Sequence, residues 1–341
     1  MTKRIKVAAL VAAATTIPAV LSGCAASSGS TTDSNKLSVV GFSVLKTANE
    51  PVIADFQKTP AGKGVTFTTS YGASGDQSRL VAGGLPTDEV HLSLAPDVES
   101  LVSAGLVDKS WDQTPTHGIL TQSEVVFLVR KGNPLHIQSW DDLVKPGVKI
   151  ITPNPASSGS AKWNILAAWA HITGNGGTDA QAKAFVSKLL HNAVALPGSG
   201  SDALSSFVAG NGDVLLAYEN DSIEARAAGD DVDYIVPKDT LLIQNPAALT
   251  TSAKPAAKDF LDFQLSKQGQ TDYAKAGFRP VVNGITTDVP GANDPSNPFP
   301  KVAEQFTIDK NFGGWDKANP EFFDDKNGII TKIISGLNIG G

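Results

Sequence analysis

From Lys36 onward, short β-branched runs alternate with helical stretches, and this alternation constrains the fold more tightly than any other feature of the chain. The runs 37–42 (LSVVGF), 65–69 (VTFTT), 125–129 (VVFLV), 148–151 (VKII) and 213–218 (DVLLAY) have strand length and strand composition. Between them, 161–173 (AKWNILAAWAHIT), 179–191 and 256–265 carry apolar residues three and four apart, as helices with one buried face do. Trp163 and Trp169 fall on such a face and are read as core. No repeat of solenoid period interrupts the pattern, so the predicted class is α/β. A chain of 341 residues with 41% hydrophobic and 18% charged residues has enough apolar material for two modest lobes or one large domain.

The N-terminus reads differently. Lys3, Arg4 and Lys6 precede an apolar run from Val7 to Leu21, followed by Leu21-Ser22-Gly23-Cys24. Residues 1–23 are read as a secretory signal peptide ending in a lipobox, with cleavage before Cys24. The apolar run falls short of the ~20 residues that span a bilayer. Cys24 is the only cysteine of the chain, which excludes an intramolecular disulfide and leaves thioether lipidation as its use. Residues 24–36 are then a lipidated tether, and its twelve residues after Cys24 (AASSGSTTDSNK) give a reach of roughly 20 Å. The expected location is outside the cytoplasm, held to the membrane by lipid, because stable anchoring takes more than one acyl chain or signal and a bacterial lipoprotein carries two or three.

Charge and motifs narrow the function. The net charge of −6 becomes −9 once the three basic leader residues are removed, the wrong sign for a protein that tracks phosphates of nucleic acid. The histidines His91, His117, His136, His171 and His191 have no metal-ligand spacing, and neither a GxSxG elbow nor a P-loop occurs. No catalytic residue, metal or cofactor is therefore assigned, and the energy for any transport must come from a partner. What remains are three places where a strand end meets a small-residue turn and then a helical pattern: 71–77 (YGASGDQ), 155–163 (PASSGSAKW) and 196–202 (LPGSGSD). A helix start offers unpaired N–H groups at the positive end of its dipole, and glycine or serine lets an oxyanion approach. Any one such turn is ordinary capping; three make a candidate anion cage.

Several longer blocks extend the pattern: 70–77 (SYGASGDQ), 127–134 (FLVRKGNP), 140–148 (WDDLVKPGV), 151–155 (ITPNP) running on to 158–164 (SGSAKWN), 212–220 (GDVLLAYEN), 278–280 (FRP), 306–309 (FTID) and 312–315 (FGGW). In this order they resemble the sulfate- and thiosulfate-binding proteins of bacterial ABC importers, over most of the chain after the leader. The resemblance implies a type II periplasmic-binding-protein fold, two lobes each built of a mixed sheet flanked by helices, with the ligand in the hinge cleft. The expected lobes are 37–118 with 220–290, and 119–219; the chain crosses near 116–122, returns near 219–227, and 291–341 packs on the lobes. It further implies a monomer that delivers its ligand to a membrane permease driven by a cytoplasmic ATPase. The positions matching the family's uncharged sulfate donors are Ser74, Ser158, Gly159, Ser160 and Gly200, with Tyr218 where a tryptophan is common and Ser43 as a looser match.

The choice of donors follows from elementary energetics. Stripping a dianion of water is costly, and each hydrogen bond to a charged group recovers ~1.5 to 3 kcal/mol net, so about six or seven converging donors are needed. A cage of donors alone rejects protonated phosphate, whose O–H would be left unpaired. Molybdate, tungstate and phosphate are the alternative ligands on this architecture. Besides Tyr218, whose hydroxyl reaches differently from an indole N–H, three positions depart from the family. Asp76 stands where lysine is common, and of its possible roles (repelling sulfate, accepting a phosphate proton, or facing solvent at a helix start with Arg79 as neighbour) the last is adopted. Ser160 replaces a glycine, keeping its N–H and adding a hydroxyl. Lys162 replaces an arginine and reads equally as a surface residue.

Overall fold

The computed structural model describes residues 35–337. The leader, Cys24 and most of the tether lie outside the described residues. The strands are β1 (Lys36–Phe42), β2 (Thr66–Gly72), β3 (Glu89–His91), β4 (Ile119–Arg130), β5 (Ile150–Ile151), β6 (Ala193–Ala195), β7 (Val214–Tyr218), β8 (Val232–Ile235), β9 (Asp239–Leu249) and β10 (Glu304–Phe306). The helices are α1 (Leu45–Phe56), α2 (Ser74–Ala82), α3 (Ala95–Ser103), α4 (Trp140–Leu143), α5 (Gly159–Gly174), α6 (Asp179–His191), α7 (Gly200–Val208), α8 (Glu219–Ala228), α9 (Pro255–Gln264), α10 (Lys267–Lys275), α11 (Ile308–Phe312), α12 (Trp315–Phe323) and α13 (Ile329–Ser335).

The strands pair in the order β2-β1-β3-β9-β4-β7-β5-β6, with β8 added on β4 and β10 on β9. Two parallel groups, β2-β1-β3 and β6-β5-β7, form the cores of two halves. The long strands β4 and β9 belong to both. Residues 119–124 of β4 pair with 242–246 of β9, while 125–129 of β4 pair with β7 and 247–249 of β9 pair with β3. This is the two-lobed α/β architecture, and a pair of antiparallel strands is the only sheet connection between the halves among the described residues.

β4 begins at Ile119, and its first residues pair with β9. Residues 219–227 form most of α8, and β8 after it pairs with β4, so the chain stays in the second half until β9 carries it back. Val232 and Tyr234 of β8 share a core with Val126, Leu128 and Leu215, which holds this segment there. The sequence hides β9 because Pro246 sits inside it, and an interior proline ordinarily argues against a central strand. Here Pro246 faces Ile119 next to a register shift in β4, where the ladder is already interrupted. The C-terminal segment packs mainly on the second half: Val289 and Ala292 enter that core, Trp315 meets Trp163 edge-on at 4.9 Å, and Phe322 meets Trp169 at 4.8 Å. Both tryptophans of α5 are buried, as their helical spacing predicts.

His171, also on α5, is tied to β9 through Nδ1, 2.6 Å from Asp239 Oδ2, with Asp141 3.8 Å from Nε2. Burial opposes the charged ring, but the two carboxylates outweigh it and raise its pKa above the ordinary 6.5. A raised folded pKa gives stability that is fully present below the unfolded pKa and lost as pH rises through the folded one. His171→Gln is therefore expected to flatten the fall in melting temperature as pH rises from about 6.5 into the alkaline range. Identical slopes for variant and parent in that window would rule out this link.

Candidate functional site

Parallel strands place the helices that follow them with their N-termini at one edge of each half, and a ligand crevice forms at such carboxyl ends of strands. β1 leads through Ser43 into α1, β2 into α2 at Ser74, and β3 through Ser93 into α3. From the other half, Ser158 directly precedes α5, Ser199 caps α7, and β7 ends at Tyr218 before α8.

Contacts bring Ser43, Ser74, Gly159, Ser160, Gly200 and Tyr218 together, and Ser158 directly precedes Gly159 at the start of α5. Ser93 is the centre: its N–H donates to Ser74 Oγ (2.9 Å), its hydroxyl lies 2.7 Å from the Tyr218 hydroxyl, and its carbonyl accepts from Trp163 Nε1 (3.0 Å) and Asn245 Nδ2 (3.1 Å). A Cβ placed on Gly159 would lie 2.4 Å from Ser93 Oγ, so the start of α5 presses directly on the β3–α3 turn. Ser160 neighbours the Tyr218 hydroxyl on one side and Gly200 on the other. The N–H of Ser201 points to Ser43 Oγ at 3.4 Å, closing the ring. Gly75 N–H donates to the Ser157 carbonyl at 3.1 Å, a further tie between the halves, so the cleft is closed in this structure.

The donors left over can be counted by element. Ser74, Gly159, Ser160 and Gly200 occupy first-turn positions whose N–H groups have no helical acceptor. The N–H of Ser158 is used by the Asn154 carbonyl at 2.8 Å, but its hydroxyl makes no capping bond. Ser74 is the reverse: its hydroxyl donates to Asp97 Oδ2 at 2.5 Å, while its main-chain N–H is the first of α2. Burial pushes the Tyr218 hydroxyl pKa well up, so this group stays protonated.

Charges stand back from these donors. Asp76 pairs with Arg79, both side chains more than half exposed, which is the solvent-facing role adopted for it. Desolvation raises the Asp97 carboxyl pKa against the pull of the Ser74 hydroxyl and Lys162. Lys162 is no free surface residue; its ammonium donates to Asn319 Oδ1 at 2.8 Å and lies 5.2 Å from the Phe323 ring centre. The mouth of the cleft, about 350 Å³, is lined by Ser43, Lys46, Tyr71, Asp76, Ser199 and Asp202 among others. Among the described residues no group of three or more His, Cys, Asp or Glu is placed to hold a metal ion.

Ser93, Asp97 and Asn245 escape the sequence reading. Ser93 carries the same signal as the recognised turns, a strand end followed by a helix start with proline in its first turn, but without a glycine beside it. Asp97 and Asn245 act through other residues, and nothing local in the sequence marks that.

Helix starts from two α/β halves converging on a cleft of neutral donors define a solute receptor for a small anion. A family profile described as bacterial extracellular solute-binding protein matches residues 37–279. The chain is 38% identical over 319 residues to the sulfate-binding protein of Synechococcus elongatus, covering 90% of this chain and 89% of that one. It is 32% identical over 296 residues to the thiosulfate-binding protein of Pseudomonas aeruginosa, covering 84% and 87%. The solved sulfate-binding protein SubI of Mycobacterium tuberculosis superposes with a TM-score of 0.79 at 43% identity, covering 85% of this chain and 99% of that one. The chain belongs to the bacterial extracellular solute-binding proteins, in the branch of sulfate- and thiosulfate-binding proteins.

Proposed function

We propose that this protein captures sulfate, with thiosulfate as its congener, in the cleft between β1–β3 and β5–β7, and hands it to an ABC permease with a cytoplasmic ATPase. It binds as a monomer, performs no covalent chemistry, and is held at the outer face of the membrane by a lipid on Cys24. The observation that carries this reading is the convergence of the first turns of α2, α5 and α7 with the hydroxyl of Ser158, which makes no capping bond. The ligand donors are the N–H groups of Ser74, Gly159, Ser160 and Gly200, the hydroxyls of Ser158 and Tyr218, and Ser43 at the rim. Asp76 faces solvent beside Arg79, and Asp97 is engaged by Ser74, so neither offers an acceptor to a protonated oxyanion. The names of the relatives point to the same ligands.

Titration calorimetry with sulfate, thiosulfate, molybdate and phosphate tests the assignment. Tight sulfate binding with phosphate silent is expected. A preference for phosphate, or affinity that follows phosphate protonation, would overturn it. Mass spectrometry of the membrane-extracted protein tests the anchor: an unmodified Cys24, or cleavage elsewhere, would refute it.

A further inference from the structure

Behind the cleft, where β4 passes from one half to the other, three charged side chains are packed together. Arg279 follows α10 and the buried Phe278, and its main-chain N–H donates to the Gln122 carbonyl in the part of β4 that pairs with β9 (2.8 Å). Its guanidinium forks onto Glu219, with Nε 2.7 Å from Oε2 and Nη2 3.1 Å from Oε1. Nη2 also lies 3.1 Å from Glu124 Oε2. Both glutamates are fully buried and the arginine side chain is 11% exposed. Two groups from the C-terminal segment complete the shell: the Pro300 carbonyl accepts from Nη1 and Nη2 at 3.2 Å, and Gln305 Nε2 donates to Glu124 Oε1 at 2.7 Å.

The placement matters because Glu219 directly follows Tyr218, the aromatic wall of the cage, and opens α8. Tyr218 and Glu219 belong to the second half through β7, whereas the Arg279 main chain is fastened to the hinge strand. Any rotation of the halves about β4 and β9 therefore changes the Arg279–Glu219 geometry. We propose that Arg279 is a positioning residue for anion capture: its fork onto Glu219, steadied by Glu124, holds Tyr218 against Ser93 and fixes the halves in the closed orientation. Two carboxylates share one guanidinium here, and Tyr234 is the remaining titratable neighbour. Burial pushes the Glu124 carboxyl up to about 7 despite the pull of Arg279, which fits a cluster that tolerates only one full counter-charge. A buried pair of this kind adds little net stability compared with apolar groups of the same shape, yet is costly to break by removing one partner, so its retention calls for a geometric role.

The inference rests on the oxyanion-binding reading, and its test separates the two. Arg279→Met leaves two buried carboxylates uncompensated and can unfold the protein, so the decisive variants are Arg279→Lys, which keeps the charge without the fork, and the neutral triple Arg279→Met, Glu219→Gln and Glu124→Gln. Stopped-flow kinetics with sulfate, melting temperature, and the radius of gyration with and without sulfate are measured on each. The neutral triple is expected to melt like the parent but to release sulfate about tenfold faster with unchanged association, and to compact less on binding; Arg279→Lys is expected to fall between. Parent-like release and compaction in the neutral triple would overturn the proposal. If the parent itself ignores sulfate, the ligand assignment fails, and the same comparison with whichever of thiosulfate, molybdate or phosphate compacts it decides the role of Arg279.

Discussion

Gly159→Ala is expected to weaken sulfate binding by about 5- to 150-fold while the melting temperature of the ligand-free protein stays close to that of the parent. The added Cβ would stand 2.4 Å from Ser93 Oγ, 2.6 Å from Ser93 Cβ and 2.9 Å from Leu94 Cγ. Gly159 is in the second half and Ser93 and Leu94 are in the first, so this clash exists only when the cleft is closed. Overpacking of this kind costs ~1 to 3 kcal/mol, and here the whole cost falls on the closed state. In the open state Ser93 and Leu94 move away from Gly159, so the added methyl costs the unliganded protein little. Gly200 makes a useful contrast: a Cβ there would meet Val44 Cγ2 and Ser160 Oγ at 2.9 and 3.0 Å, a milder approach than the 2.4 Å at Gly159, so Gly200→Ala should cost less. Calorimetry and thermal melts of the two variants check this, and a Gly159→Ala protein with parental affinity would show that α5 does not seat against the β3–α3 turn when the anion is bound.

The parts of this architecture written in local pattern were legible in the sequence. The strand runs and helix faces mark α/β, and the buried tryptophans of α5 sit where their spacing puts them. The three small-residue turns are helix starts at the cleft, because a helix N-terminus must be announced by residues that allow its geometry. What stayed hidden depends on contacts between distant segments. The return crossing on β9 was masked by Pro246, whose missing N–H matters only at a position where β4 already breaks register. Ser74 was legible as a candidate site residue, but only the fold shows that its hydroxyl is taken by Asp97, 23 residues further on. Arg279 stands in a recognisable Phe-Arg-Pro block, yet its two glutamates come from β4 and α8, and no spacing rule joins them.

That difference between the two serines separates two kinds of loss. Ser158→Ala is expected to raise the sulfate dissociation constant about tenfold to a hundredfold, the worth of one hydrogen bond to a charged group, ~1.5 to 3 kcal/mol. Replacing an N-cap serine usually also costs ~1 kcal/mol of helix stability. At Ser158 it should not, because the side chain makes no capping bond and the N–H it keeps as alanine still reaches the Asn154 carbonyl. Ligand-free melting is thus expected to be unchanged, and the loss to appear in binding alone. Ser74→Ala should behave the other way. It strips Asp97 of its hydroxyl partner and the Ser93 N–H of its acceptor, so the protein is destabilised, while the Ser74 main-chain donor survives and affinity falls less than in Ser158→Ala. Measured side by side, calorimetry and melts of the two variants should show affinity lost in one and stability in the other. If Ser158→Ala melted early with its affinity intact, its hydroxyl would be a helix cap and the cage would have to find its side-chain donor elsewhere.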